Sequence, residues 1–276
     1  MRFAVTFSLL TGAALITGAA LITGTALITG TASGATLTDP DPSQIEAIIA
    51  KFAAKEAEFA KARSNFTYRQ TAKVMTLDDG GGVTGKWEEV TDIIFSPEGA
   101  RIEKVAYAPP NTLTAIQLDP GDIQDLREVQ PFVLTTNEVP KYYIRYLGRE
   151  QLDEISCYTF AVKPKRMESG QRYFEGIVWV DDRDLQIVKS YGRGEGSKQN
   201  ADHQYPKFET YREQVDGKYW FPTYTIANAT LHFRDNDQRI KMTVKYEDYK
   251  QFKSDVQIKY NVDEPDKTAA PAPPKK

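Results

Sequence analysis

The sequence predicts an α+β fold: a strongly curved antiparallel sheet of about ten or eleven strands, with an N-terminal helix and a short inserted helix over its concave face. Three observations carry this. Runs rich in β-branched and aromatic residues recur from Phe66 to Tyr249, separated by short turns of Asp, Gly and Pro. One amphipathic helical pattern precedes them, and one short helical pattern interrupts them.

The chain has 276 residues, 41% hydrophobic and 11% aromatic, enough for a substantial core in one large domain. Arg2, the apolar run from Phe3 and the small residues Ser33-Gly34-Ala35 describe a secretory signal peptide over residues 1–35, cleaved before Thr36. The alternative is an uncleaved transmembrane anchor of about 20 residues, against which the frequent Gly and Thr argue. ALITG recurs at Ala14–Gly18, Ala20–Gly24 and Ala26–Gly30 as low-complexity apolar filler. Cys157 is the sole cysteine, so no intramolecular disulfide forms, and none near the junction offers a lipid-anchored N-terminus. The net charge is −3 and the 35 basic residues are interleaved with 38 acids, which excludes a strong field for nucleic acid. The remaining chain divides into one domain over residues 36–261 and a disordered Pro/Ala/Lys tail over 262–276.

Asp39-Pro40-Asp41-Pro42 is an extended linker. Ser43 is the expected helix cap, with Glu46 completing a capping box. Ile45, Ile48, Ile49, Phe52, Ala53 and Phe59 then recur at helical spacing, with Lys51, Lys55, Glu56, Glu58 and Lys61 on the other face, to an end near Arg63. This helix covers one sheet face. Strands follow over Phe66–Leu77 and Val83–Phe95, turned at Asp78–Gly82, then over Arg101–Tyr107 and Thr112–Leu118, turned at Ser96–Gly99 and Ala108–Pro110. Pro120–Leu134 breaks the pattern: Asp119 can cap, Pro120 suits a first turn, and Ile123, Leu126 and Val129 keep a helical period. Phe132-Val133-Leu134 adds an apolar tail. The segment is either a lid over the concave face or a connecting helix that plugs the core. Tyr142–Pro164 and Tyr173–Tyr191 read as a four-stranded meander. Lys207–Val215, Tyr219–Phe233 and Gln238–Tyr249 complete the strands, the first pair joined by Asp216-Gly217.

The meander carries Gly148-Arg149-Glu150, Leu152-Asp153, Cys157-Tyr158, Val162 and Lys165, then Val178-Trp179-Val180-Asp181 and Leu185-Gln186-Ile187-Val188. This pattern resembles the LolA-like family of periplasmic outer-membrane lipoprotein-sorting proteins, most clearly over Tyr142–Tyr191. The resemblance implies an open barrel with helices inside its concave face, a periplasmic location, and a carrier that holds acyl chains of lipoproteins or lipids in an apolar groove. It implies no enzymatic activity and no cofactor. The implied partners are those acyl chains and, beyond them, inner- or outer-membrane transport components, met by a monomer. The family's lid-holding arginine is matched to no residue of this sequence.

Little in the sequence points to chemistry. His203 and His232 lack metal spacing, and Cys157, inside a strand, reads as a small packing residue. Asp181, Asp182 and Asp184 form the tightest acidic cluster, with Arg183 among them, and read as a turn rather than a calcium site. The expected apolar groove instead combines faces. Tyr68, Ala72 and Val74 share one face of the first strand, Trp87, Ile93 and Phe95 one parity of the second, and Ile177 and Trp179 one parity of the central hairpin. Leu126, Val129 and Phe132 are expected to lie over them. Two rivals to the carrier remain: an envelope module that senses lipids or proteins without carrying them, and a hydrolase whose carboxylates no motif singles out.

Overall fold

The computed structural model describes residues 39–96, 100–126, 130–196 and 204–251. The signal peptide, Pro97–Gly99, Val129, His203 and the tail lie outside the described residues.

Helix α1 spans Pro42–Arg63. Its cap is Asp41, not Ser43. Asp41 Oδ1 accepts the Gln44 N–H and Gln44 Oε1 accepts the Asp41 N–H, both at 2.9 Å. Pro42 shifts the start: it has no N–H to lose, and its fixed φ suits the first helical position. Ser43 instead donates its hydroxyl to Asp41 Oδ1.

Ten strands follow: β1 Phe66–Leu77, β2 Val83–Phe95, β3 Arg101–Tyr107, β4 Tyr142–Leu152, β5 Ile155–Pro164, β6 Arg172–Asp181, β7 Ile187–Gly196, β8 Phe208–Gln214, β9 Trp220–His232 and β10 Asp237–Gln251. All neighbours pair antiparallel in the order β3-β2-β1-β10-β9-β8-β7-β6-β5-β4. The end strands β3 and β4 do not pair, so the barrel stays open. The turns follow local chemistry. Asp181 Oδ1 accepts the N–H groups of Arg183 and Asp184, and Asp216 Oδ1 those of Lys218 and Tyr219, with Gly217 at φ 73°.

Thr112–Leu118, expected as a strand, is irregular. Pro109 and Pro110 remove donors from its approach, and the segment leaves β3 to cross the inner face. Thr112 docks on β2, where its N–H donates to Lys86 O and its Oγ1 accepts the Lys86 N–H, both at 2.9 Å. Gly85 permits the crossing, since a Cβ there would stand 2.7 Å from Thr112 O. Leu113, Ile116 and Leu118 then pack on the core. A short α2, Pro120–Gln124, follows.

Val74 of β1, Ile93 of β2, Phe160 of β5, Val178 of β6 and Val244 of β10 share one core cluster with Phe52 and Ala53 of α1. β1 and β6 stand five places apart in the sheet, about 24 Å on a flat sheet at about 4.8 Å per strand. Both reach one helix because the sheet rolls around it. Phe52 meets Phe160 with ring centroids 5.3 Å apart.

Glu56, expected on the solvent face of α1, is fully buried. It lies four residues after Phe52 and three before Phe59, on the apolar stripe itself. Arg212 Nη1 of β8 donates to its two carboxylate oxygens at 3.0 and 3.2 Å, and the Ile187 N–H donates to Oε1 at 3.1 Å. Arg212 Nη2 donates to Phe132 O, and the guanidinium stands over the Phe59 ring. Removing one partner leaves a buried, uncompensated charge. Arg212→Met is therefore expected to cost about 3–5 kcal/mol, a fall of roughly 10 °C in Tm at about 2–4 °C per kcal/mol. Glu56→Leu in the same chain should restore most of the loss. Calorimetry on both variants checks this, and a double variant as unstable as the sum of its single changes would deny the pair any coupling.

Candidate functional site

A cavity of about 400 Å³ opens on the inner face, between β1, β8, β9 and β10 below and residues 114–126 above. Its floor is Val74, Phe208, Leu231, Ile240 and Met242, and Leu126 closes it from above. Pairing of the first and last strands builds this floor: Val74 stands opposite Met242, and Thr76 opposite Ile240.

Its upper rim is acidic, and local rules place each acid. Asp119 caps α2: its Oδ1 accepts the Asp122 N–H, while Asp122 Oδ2 accepts the Asp119 N–H, both at 2.8 Å. Asp125 follows the helix and takes a two-pronged bond from Arg172 of β6, Nε to Oδ1 at 2.7 Å and Nη2 to Oδ2 at 2.6 Å. The guanidinium stacks 3.7 Å from the Tyr205 ring centroid. β7 carries Gly194 here because any side chain would collide with Asp125 Oδ2 and Arg172 Nη2. Burial pushes the Asp122 carboxyl up to about 6, and Asp119 and Asp125 add to the rise.

Gln130 completes the lining. It is 3% exposed. Its backbone O accepts the Thr210 hydroxyl at 2.9 Å and its Nε2 donates to Met242 Sδ at 3.2 Å. Among the described residues its Oε1 has no partner.

The residues read from sequence divide among several environments. Val74 and Leu126 line the cavity. Tyr68, Ala72, Trp87, Ile93 and Phe95 share the inner face but lie in or against the core. Beside them Arg101 donates to Tyr68 Oη and Gln70 Oε1, at 2.6 and 2.9 Å, and Ala72, Trp87 and Leu126 border a void of only about 20 Å³. Phe132 is core: it stacks on Phe174 at 4.6 Å and meets Tyr142 edge-on. Ile177 and Trp179 are not brought to this face. They pack in a separate cluster with Cys157 and Val188, where Trp179 Nε1 donates to Glu150 Oε2 at 2.8 Å. The inner side of β6 belongs to Phe174, Val178 and Val180. The sequence reading missed Phe208, Leu231, Ile240 and Met242, although Ile240, Met242, Val244 and Tyr246 alternate in plain view. It also missed Asp122, although the capping pattern from Asp119 marks its place, and Arg172 and Gln130, which no local motif marks.

Elsewhere, Cys157 is buried, and that burial, with nearby Asp181, pushes its thiol up to about 12. His232 sits exposed, 2.8 Å from Asp237 Oδ1. Among the described residues no three of His, Cys, Asp and Glu are grouped to hold a metal ion.

Asp122 gives a pH test. Its folded pKa is raised, so the folded state holds a proton that the unfolded state has already released between about pH 4 and pH 6. Its contribution to stability is present at the acid end of that window and lost as pH rises through about 6. Asp122→Asn keeps the capping oxygen and removes the titration. It should melt several degrees above wild type at neutral pH, with the gap closing toward about pH 4. Melting curves across that range check it, and parallel curves would remove Asp122 from the balance.

No family model matches the chain, and no curated protein matches it. Solved structures do. A DUF1329 family protein from Desulfovibrio piger aligns at TM-score 0.40 and 15% identity, covering 80% of this chain and 95% of that one. A LolA superfamily protein from Nitrosomonas europaea aligns at TM-score 0.33 and 12% identity, covering 74% and 92%. A protein described as an outer membrane lipoprotein-sorting domain, from Vibrio parahaemolyticus, aligns at TM-score 0.34 and 12% identity, covering 73% and 92%. Structural neighbours of the chain thus include proteins described as LolA superfamily and DUF1329 family members.

Proposed function

We propose that the protein is a periplasmic carrier that shelters an acyl chain of a lipid or lipoprotein in the cavity on its inner face. The observation that carries this is the cavity itself: about 400 Å³, with an aliphatic and aromatic floor, on the face of an open barrel. That volume lies in the range of ligand pockets, about 300–1,000 Å³. An acyl chain gains about 0.8 kcal/mol for each methylene removed from water, so a dry floor is the chief requirement of a carrier. The described lining includes no Ser, Cys or His, the usual nucleophile and base of a lipid hydrolase. The signal peptide read from the sequence supports the location, and the resemblance over Tyr142–Tyr191 supports the cargo class.

Mass spectrometry of solvent extracts from the purified native protein tests this. An acyl-bearing molecule should co-purify in proportion to protein. Ile240→Phe, which fills the floor, should lose about nine-tenths of it while remaining folded, since overpacking one floor position costs about 1–3 kcal/mol. Extracts without acyl compounds, together with no rise in Tm on adding acyl amphiphiles, would refute the proposal.

A further inference from the structure

Away from the cavity, we infer that the outer corner formed by β4, β5 and the loop after β5 docks on an anionic lipid bilayer, with Tyr143 as its interfacial anchor. The alternation of β4 builds this corner. Tyr142, Ile144 and Tyr146 turn inward to the core, so Tyr143, Arg145 and Leu147 turn outward by the two-residue period. Tyr143 is 64% exposed and Leu147 41%. β5 stands beside them in register, with Lys163 opposite Tyr143 and Ala161 opposite Arg145. The ladder continues past the strands: the Lys165 N–H donates to Lys141 O at 2.8 Å, so these two lysines stand side by side. Lys165 Nζ lies 5.5 Å from the Tyr143 ring centroid. Arg166 and Met167 follow, both exposed. β4 is the last strand of the sheet, so the corner lies at its edge.

Two properties of this corner select the partner. The first is charge. Lys141, Arg145, Lys163, Lys165 and Arg166 stand here with Glu138, Glu168 and Glu175, five bases against three acids in a chain whose net charge is −3. Glu138 pairs with Lys141 at 2.9 Å and Glu175 lies 3.5 Å from Lys163, so the excess rests on Arg145, Lys165 and Arg166. Like charges side by side on a sheet destabilise it, so folding by itself does not favour Lys165 beside Lys141. An anionic surface does, and each Lys or Arg brought to one raises the binding constant about fivefold. The second property is apolar. Tyr143, Leu147 and Met167 are exposed among those cations. A soluble acidic peptide would answer the charges and leave these side chains in water. A bilayer answers both, since basic side chains meet the headgroups while apolar ones enter the boundary beneath them. Tyrosine, with an apolar ring and a polar tip, suits that depth. None of these residues lines the cavity, so the surface is separate from the cargo site and does not depend on the carrier reading.

The test is flotation of the protein, purified from cells, with vesicles of phosphatidylcholine alone or with about a third phosphatidylglycerol. At about 0.1 M salt the anionic vesicles should bind about tenfold or more tightly than the neutral ones, and about 0.5 M salt should remove most of that difference. Arg145→Gln together with Lys165→Gln should weaken binding about 25-fold, a factor of about five per cation. Tyr143→Ala should weaken it several-fold at either salt concentration. Lys241→Gln together with Lys245→Gln makes the same change in net charge on β10, six places away in the sheet, and should leave binding unchanged. These are surface positions, so no variant should shift Tm by more than about 2 °C, and any acyl compound in the cavity should co-purify as before. Binding equal on both vesicles or absent from both, or loss in the β10 variant as large as in the β4–β5 variant, would overturn the membrane site and leave the carrier reading as it stands. Binding to soluble poly-glutamate with none to vesicles would overturn it in favour of an acidic peptide.

Discussion

The structure depends on one charge pair that never meets water. Glu56 and Arg212 are buried, and between them they bind four parts of the chain: α1, the start of β7 through the Ile187 N–H, β8, and residue 132 through its carbonyl. Desolvating two ions costs several kcal/mol each, so the pair is a poor source of stability compared with a hydrophobic substitute. Its effect is positional. The apolar contacts of α1 are met by several rotations and slides against a curved sheet of Val, Ile and Phe. Glu56 is met in one, where two guanidinium bonds and one backbone N–H converge. The helix that fills the barrel is thereby set in rotation and depth, and the volume it leaves vacant is set with it.

That vacancy lies under the inserted segment, whose two ends are held by different physics. At the far end, Phe132 stacks on Phe174 and its carbonyl is bonded by Arg212, so withdrawal would expose an aromatic stack and strand a guanidinium. At the near end, α2 buries none of its own five residues. A capping box and the Asp125–Arg172 fork hold it, with Leu126 as its single deep contact with the cavity. The polar bonds of the capping box exchange with water at small net cost, about 0.5–1.5 kcal/mol each. The fork does not: its two side chains are 6% and 10% exposed, so breaking it leaves charge away from water.

The sequence made the strands legible because the turns carried their own chemistry. Asp78–Gly82, Asp216-Gly217 and the Asp181 cluster each force a reversal, and β1, β2 and β3 begin and end where composition placed them. Thr112–Leu118 misled because its residues suit a strand, yet β3 is the sheet edge and two prolines precede the segment, so it found apolar cover instead of a ladder. Parity failed on β6. Strands covered on both faces read as continuous apolar runs, and Gly176 to Val180 gives no sign of which residues face the barrel. The partners decide: Cys157 and Val188 draw Trp179 outward, while Phe160 and Ile187 draw Val178 and Val180 inward. Glu56 had a signal, its place on the apolar stripe of α1, but charge outweighed spacing in the reading.

The cavity was least legible because no local stretch contains it. Its floor exists only when β10 returns to pair with β1, placing Met242 opposite Val74 across a separation of more than half the chain. Its roof comes from a segment between β3 and β4, the two strands at opposite edges of the sheet. A side chain in such a place is selected by neighbours brought from elsewhere, so Gln130 in isolation looks like any loop glutamine. Only the fold shows it sealed beside a methionine sulfur, with no partner for its side-chain oxygen among the described residues.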